Sequence, residues 1–282
     1  MNKTKIEWAD MTWNPVTGCL HGCEYCYARK IADRFGGYND IEESIPGYPY
    51  TDYDLVEMGI DDGKLHDLEY CEYFTPKEKD EEERRAAPFP YYFSPTLHRY
   101  RLDEPQKIRK PQNIFVCSMA DLFGEWVPDE WIEAVFEACK KAPWHRYLFL
   151  TKNPKRYVEL HKKGILPDSY KGDILFGATV TTDRELRNTS FYNNCIDFLS
   201  IEPIKEYLQE TWLIDGNGDP LYDWLILGAE TGNRKGKIIP KREWIETIVN
   251  KCRQKELPLL MKNSLSGIWQ DKLVQQFPWE AK

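Results

Sequence analysis

Three cysteines lie close together near the start of the chain, at Cys19, Cys23 and Cys26. Thiolates are the ligands of iron–sulfur clusters, and three of them on one loop can bind three irons of a cubane and leave the fourth iron open to a chelating small molecule. Gly18 and Gly22 allow the unusual backbone angles that such a loop requires. The spacing C-x3-C-x2-C therefore predicts a [4Fe–4S] cluster on this loop.

A zinc ion is the alternative occupant of the cysteine loop. Structural zinc usually takes four protein ligands, and the candidate for the fourth is His21, which lies inside the loop, where the ligand geometry is poor. A second cysteine pair is absent, because the other cysteines stand singly at Cys71, Cys117, Cys139, Cys195 and Cys252. The last four fall within predicted strands and helices, and we interpret them as small core residues.

The cysteine loop lies between a predicted strand and a predicted helix. Residues 11–16 read as the strand, and residues 27–35 have the helical spacing that places Ala28, Ile31, Ala32 and Phe35 on one face. Two glycines then end the helix.

Regular alternation of strands and helices begins at about residue 113. Strands are predicted over 113–117, 147–150, 174–180, 196–201 and 223–228, with a further one over 257–261. Helices are predicted over 129–141 and 154–163, from Asp183, near Lys205 and over 241–255. Such alternation favours an α/β fold with a parallel sheet and right-handed crossovers. We expect one domain over 1–282, an open or partial (β/α) barrel of about six parallel strands, with a flat doubly wound sheet as the alternative.

An acidic segment interrupts this pattern after the first β/α unit. Residues 38–94 show no sustained period, and residues 40–85 carry 16 acidic and 5 basic side chains, a local charge of −11 in a chain whose net charge is −8. We interpret 38–94 as an insertion, helical around 77–86, that forms a lid or peripheral patch, or else a solvated excursion with no role. The overall acidity argues against non-specific nucleic-acid binding but allows a nucleic-acid substrate on a local basic surface.

Neither a leader nor a membrane span is predicted. The first ten residues contain no apolar stretch typical of a signal peptide, and the longest apolar runs are far too short to cross a bilayer. We therefore expect a cytoplasmic protein with no membrane partner and with reduced thiols.

The cysteine motif resembles the signature of the radical S-adenosylmethionine superfamily, down to the aromatic Tyr25 just before the third cysteine. Five further segments are similar to a phage-associated family of uncharacterised radical-SAM-like proteins. They are Thr-Trp-Asn-Pro at 12–15, Ser-Met-Ala-Asp-Leu-Phe at 118–123, Leu-Thr-Lys at 150–152, Ser-Ile-Glu-Pro at 200–203 and Gly-Ala-Glu-Thr-Gly at 228–232. The resemblance extends from residue 5 to about 265 and is weakest over 38–94.

This resemblance implies a chemistry and two cofactors. The open iron of a [4Fe–4S] cluster on Cys19, Cys23 and Cys26 would bind the amino and carboxylate groups of S-adenosylmethionine. Reductive cleavage would then yield a 5′-deoxyadenosyl radical that abstracts hydrogen from a substrate. The electron would come from a donor such as flavodoxin or ferredoxin.

Polar residues at the predicted strand ends are candidates for binding the cosubstrate. They are Asp121, Thr179, Arg184, Glu202 and Glu230. Carboxylates and hydroxyls suit the amine and the ribose, and a guanidinium suits the carboxylate. For each residue, a helix N-cap or an internal ion pair is the alternative interpretation. Lys262 follows the last predicted strand and is a candidate substrate contact.

The substrate stays open at this point. The phage association suggests a nucleobase or nucleotide, for example in phage DNA modification, and a polymer would have to present a flipped base or a single strand. The alternatives are a radical enzyme that acts on a small metabolite or peptide, and a non-catalytic binding protein that holds zinc or a cluster.

Overall fold

A computed structural model describes residues 1–36, 64–69, 73–76, 82–85, 88–167 and 173–280, with the backbone alone for 73–76 and 82–85. The strands are β1 (Asn2–Lys3), β2 (Met11–Trp13), β3 (Val16–Thr17), β4 (His66–Leu68), β5 (Tyr73–Pro76), β6 (Glu82–Arg85), β7 (Thr96–His98), β8 (Asn113–Val116), β9 (Arg146–Thr151), β10 (Ile174–Val180), β11 (Phe198–Ile201), β12 (Trp224–Leu227) and β13 (Leu259–Met261). The helices are α1 (Tyr27–Phe35), α2 (Asp129–Lys140), α3 (Lys155–Lys162), α4 (Asp183–Ser190), α5 (Arg242–Gln254) and α6 (Ser266–Trp269). None of the helices in this described part of the chain combines the length and the apolar character that crossing a bilayer requires.

Eight strands form a mostly parallel sheet in the order β1-β2-β8-β9-β10-β11-β12-β13. From β8 to β13 each strand runs parallel to the next, and the spatial order follows the chain order without a reversal. A doubly wound sheet reverses its strand order at a switch point. The prediction of an α/β fold with a parallel sheet is therefore confirmed, and the doubly wound alternative is wrong. The sheet does not close, because β1 and β13 are its two ends.

The chain divides into two compact units, each assembled from several segments. The first unit comprises residues 1–2, 12–109 and 116–142, and the second comprises 3–11, 110–115 and 143–282. Since the segments interleave along the chain, the prediction of one domain over 1–282 stays a prediction.

The parallel strands of the second unit pack around Trp8. Its ring lies 4.5 Å from that of Phe115 on β8 and 6.5 Å from that of Trp224 on β12. In a flat sheet, strands four places apart are separated by about 19 Å. One side chain contacts both, so the sheet must curve strongly around it. Leu148, Leu175, Phe198, Ile226 and Leu260 complete this apolar cluster.

The first unit contains a small sheet of three strands in the order β3-β7-β4. The predicted strand over 11–16 is two strands in different sheets, β2 in the large sheet and β3 in the small one. Pro15 separates them, since proline lacks the N–H that a continuous ladder needs. Its carbonyl instead accepts a hydrogen bond from the His98 N–H at 2.7 Å.

Three other predictions concern irregular stretches. The predicted helix near Lys205 is wrong, because the N–H groups of Ile204 and Lys205 bond to Gly228 O and Thr181 O in neighbouring loops. The predicted helix around 77–86 is wrong over β6, which pairs with β5. Most of the predicted insertion at 38–94 lies outside the described residues, although β4 within it pairs with β7.

Candidate functional site

The cysteine loop lies in the first unit, between β3 and α1. Gly18 and Gly22 both adopt the left-handed conformation, with φ of 85° and 66°. A Cβ atom added to Gly18 would lie 2.2 Å from the carbonyl oxygen of Ser94, so a glycine is required there for space as well as for conformation. The loop thus begins close against the backbone of Ser94.

Two of the three thiols share an apolar environment. Cys19 and Cys26 pack against the buried group of Ala28, Ala32, Phe93 and Met119. The Cys26 Sγ accepts a hydrogen bond from the Arg29 N–H at 3.3 Å and so caps the N-terminus of α1. A backbone donor at the start of α1 therefore orients this sulfur.

The pKa of the Cys19 thiol is raised to about 12, mainly by burial and to a lesser extent by negative charge at Asp121, Cys23 and Cys26, while the His21 backbone N–H acts in the opposite direction. The negative neighbours, unlike burial, would favour a bound cation, and a bound metal deprotonates its thiol ligands outright. The described residues contain no group of three or more His, Cys, Asp or Glu side chains drawn together as metal ligands. The cysteines fit an iron–sulfur cluster through the kind and number of their donor atoms, three thiolates on one short loop.

A second loop, residues 118–121, lies against the cysteine loop within the first unit. The Gly18 N–H bonds to Met119 O at 2.9 Å, and Gly18 also forms a parallel bridge with Ala120. The Tyr27 hydroxyl donates to Ser118 O at 2.7 Å. Both ends of the cysteine loop are therefore attached to this second loop.

Asn14 holds the second loop in place, and sequence analysis did not identify it. Its Oδ1 accepts hydrogen bonds from the Ser118 hydroxyl at 3.1 Å and from the Met119 N–H at 3.0 Å. Arg101 donates to the Asn14 carbonyl at 3.1 Å. In the sequence, Asn14 stands out only as part of the segment 12–15, which was identified by its resemblance to the phage-associated family and not by any pattern of its own.

Asp121, a predicted cosubstrate ligand, lies beside the cysteine loop. Its Oδ2 is 2.7 Å from the Nε2 of His21, and its Oδ1 accepts the Phe123 N–H at 3.1 Å. The His21 ring also meets Trp126 edge-on, with the ring centroids 4.9 Å apart. Asp121 thus orients the imidazole that stands between Cys19 and Cys23 in the chain.

Glu202, which follows β11 in the second unit, forms an ion pair with Lys262, which follows β13. The Lys262 Nζ lies 2.7 and 2.9 Å from the two carboxylate oxygens. The Lys262 side chain is 18% exposed and the Glu202 side chain 25%. A Cβ atom on Gly228 would lie 2.7 Å from Glu202 Oε1. A glycine at the end of β12 therefore leaves the space through which Glu202 reaches Lys262.

Thr179 lies near the carboxyl end of β10 and lines a cavity of about 440 Å³, together with Lys152, Asn153 and Asn188. Side chains alternate along a strand, so Thr179 points to the same face as Leu175, which belongs to the core around Trp8. Glu185, which also lines the cavity, accepts hydrogen bonds from the N–H and the hydroxyl of Thr181 at 2.6 and 2.8 Å.

The last two predicted ligands have other surroundings. Arg184 is exposed in the first turn of α4. Glu230 follows β12 and binds the Arg234 guanidinium through both oxygens, at 2.6 and 2.8 Å. This contact lowers the pKa of Glu230, and Lys205 and Lys237 act in the same direction. Asp121 lies in the first unit and the other four candidates lie in the second, so their common role stays a prediction.

One protein-family model, described as a protein of unknown function (DUF5131), matches residues 3–65 and 67–278. The match includes the cysteine loop, the second loop and the parallel strands from β8 to β13. No curated protein and no solved structure matches the chain. The chemistry must therefore be argued from the residues themselves.

Proposed function

We propose that this chain, which belongs to the DUF5131 family of proteins of unknown function, is a radical S-adenosylmethionine enzyme. The observation that carries the proposal is the cysteine loop between β3 and α1, with two left-handed glycines and with Cys26 at a helix N-terminus. Three thiolates would hold three irons of a [4Fe–4S] cluster and leave one iron open.

When bound, the cluster would supply the electron that cleaves S-adenosylmethionine reductively and so starts hydrogen abstraction from the substrate. The protein's own residues prepare the place for it. Cys19, Cys23 and Cys26 bind the irons, and the second loop with Asn14 holds the start of the cysteine loop. Apolar packing on one side of Cys19 and Cys26 limits the access of water to these partly buried thiols.

The curvature of the parallel sheet in the second unit supports the proposal of a radical enzyme. We take this sheet to be an open (β/α) barrel of six parallel strands filled by Trp8. Side chains alternate along a strand, so Thr179 lies on the same inward face as Leu175. By the same count, Glu202 follows Phe198 on the inward side of β11, and Lys262 follows Leu260 on that of β13. Polar groups at the carboxyl ends of parallel strands are where such folds place their ligands.

For the cosubstrate we keep Asp121 as the candidate in the first unit and, separately, Thr179, Glu202 and Glu230 as the candidates in the second. Glu202 and Glu230 each already bind a cation through both carboxylate oxygens. Arg184 is exposed on α4 and ranks lower. The electron donor would be a small redox protein such as flavodoxin or ferredoxin. We propose a nucleobase or nucleotide as the substrate, with a small metabolite or a peptide as the alternative.

A zinc-binding protein is the second candidate, and one observation favours it. Histidines that bind metals through one ring nitrogen often donate the other N–H to a carboxylate. His21 has this arrangement, since its Nε2 lies 2.7 Å from Asp121 Oδ2. The Nδ1 of His21 would then complete a site of three cysteines and one histidine.

Anaerobic purification and reconstitution test the first candidate. Because a [4Fe–4S] cluster contains four irons and four sulfides, we expect this content per chain. The reduced cluster should give an EPR signal, and reduction with dithionite should lead to cleavage of S-adenosylmethionine. Cys19→Ala, Cys23→Ala and Cys26→Ala should each abolish cluster assembly. Cys252→Ala is the matched control, because Cys252 is a buried thiol of α5 and should leave the iron content intact.

His21→Ala separates the two candidates. An iron–sulfur cluster on three cysteines should survive this change, whereas a zinc site would lose one of its four ligands and most of its affinity. One zinc per chain that depends on His21, without cleavage of S-adenosylmethionine, would refute the radical enzyme.

A further inference from the structure

A loop after β12 gathers positive charge in a chain that is acidic overall. This basic loop, residues 230–239, contains Arg234, Lys235 and Lys237 and only one carboxylate, Glu230. Lys235 is exposed, as are Ile238 and Ile239 at the end of the loop. The loop lies at the carboxyl end of a parallel strand, the edge at which α/β folds bind their ligands.

The basic loop has a defined shape because its own side chains cross-link it. The Glu230 side chain, only 6% exposed, accepts hydrogen bonds from Nε and Nη2 of Arg234, and Lys237 Nζ donates to Gly232 O at 2.8 Å. Gly232 and Gly236 have φ of 81° and 80°, which allows the tight turns between these contacts. Arg234 and Lys237 are therefore held in place.

The loop after β11 adds a further cation and an aromatic ring. The Ile204 N–H bonds to Gly228 O at 3.1 Å, which joins the two loops where the basic loop starts. The adjacent Lys205 interacts electrostatically with Glu230, as Arg234 and Lys237 do. Three cations thus share one carboxylate, and Tyr207, two residues further on, is 47% exposed.

The nearby acidic residues are occupied by backbone contacts. Asp183 Oδ1 accepts the Gln209 N–H at 2.7 Å, and Glu206 Oε1 accepts the Asp183 N–H at 2.7 Å. These carboxylates still reduce the local positive potential, but they brace the loop after β11 and the start of α4. Glu210 also lies here, with its Oε2 3.5 Å from the Tyr207 hydroxyl, while Arg184 is exposed beside Asp183 and adds a cation.

We propose that the basic loop, with Lys205 and Tyr207, binds single-stranded nucleic acid, which would make a polynucleotide the substrate class of the enzyme proposed above. Fixed cations recognise successive phosphates, and an exposed aromatic ring stacks on an unpaired base. The surface is an exposed loop and suits a polymer, since small ligands bind in enclosed pockets. A duplex hides its base faces and is bound less tightly.

Fluorescence anisotropy with a labelled single-stranded DNA oligonucleotide tests this inference on the full chain. We expect binding that weakens as salt rises, weaker binding of the matched duplex, and little competition by ATP. Lys235→Ala and Lys237→Ala should each weaken binding several-fold and reduce the salt slope by about 0.7. Tyr207→Ala should cost about tenfold through lost stacking. Lys162→Ala, an exposed lysine at the end of α3, is the matched control and should change nothing.

The assignment of a polynucleotide as substrate rests on the proposed function, but the two proposals can fail separately. Iron content and cleavage of S-adenosylmethionine are measured without nucleic acid, whereas the anisotropy assay needs no cluster. The inference is overturned if the oligonucleotide does not bind, if Lys235→Glu with Lys237→Glu binds as well as the unchanged chain, or if ATP or duplex binds more tightly. Loss of binding in the basic-loop variants, with iron content unchanged, supports it.

Discussion

The two units hold their important residues by different means. In the first unit, single side chains reach across long stretches of chain. Asn14 accepts a hydrogen bond from Ser118, at a separation of 104 positions in the chain. Trp13 Nε1 donates to Arg101 O at 2.8 Å, across a separation of 88 positions. In the second unit, parallel ladders and a core of large apolar side chains around Trp8 determine the arrangement.

The stability of the second unit and the positioning of the cysteine loop in the first therefore depend on different kinds of interaction. Apolar burial is non-directional, so the second unit derives its stability from area and tolerates small changes of angle. Hydrogen bonds are directional and weak in net energy, but a buried partner left unpaired is costly. Changes in the second unit's core should therefore lower stability most, whereas single polar changes in the first unit should disturb the cysteine loop selectively.

The largest expected effect is that of Trp8→Ala in the second unit. Removing a buried tryptophan leaves a cavity and should lower the free energy of unfolding by about 3–5 kcal/mol. Urea unfolding followed by circular dichroism measures this loss, and Trp8→Phe, which keeps an aromatic ring, should lose less. A loss below about 1 kcal/mol would contradict the view that the sheet is packed around this ring.

A smaller effect is expected for Asn14→Leu in the first unit. It removes the acceptor of Ser118 and Met119 and should cost about 1–3 kcal/mol, because the Met119 N–H loses its partner. The iron content after reconstitution should fall further than this loss of stability explains. Asn14→Asp keeps the Oδ1 acceptor and should retain the iron. Equal iron content in both variants would show that Asn14 does not position the cysteine loop.

The smallest effect concerns pH and His98, a fully buried residue of β7. Its two ring nitrogens lie 2.9 Å from the Thr17 and Tyr100 hydroxyls, and its pKa is well below 6.5 because of burial and of the nearby Arg101. The unfolded chain binds a proton at His98 below about pH 6.5 and the folded protein does not. This contribution to stability is therefore complete above that pH and falls as the pH decreases.

Melting temperatures between about pH 8 and pH 5 test the role of His98. The difference between the unchanged chain and His98→Gln should be largest near neutral pH and should shrink on acidification. A difference that grows as the pH falls would mean that His98 is charged in the folded protein, contrary to its burial.

The helices and central strands of the second unit were predictable because their patterns are local. The predicted strand over 174–180 coincides with β10, and the predicted helix over 27–35 coincides with α1 in the first unit. The alternation of strands and helices was sufficient to indicate a parallel sheet. Local pattern failed at Pro15 and near Lys205, where backbone groups bond to distant segments, and over β6, where they bond to the preceding strand β5.

By itself the sequence determined that three thiols stand on one loop between a strand and a helix, since their spacing is a property of adjacent residues. The tertiary structure alone decided that Asp121 lies against that loop and that Asn14 holds the second loop beside it. It also decided that Glu202 pairs with Lys262, at a separation of 60 positions, and that the sheet curves around Trp8. These contacts depend on which strands become neighbours, and strand order follows from packing the whole chain, which no local period encodes.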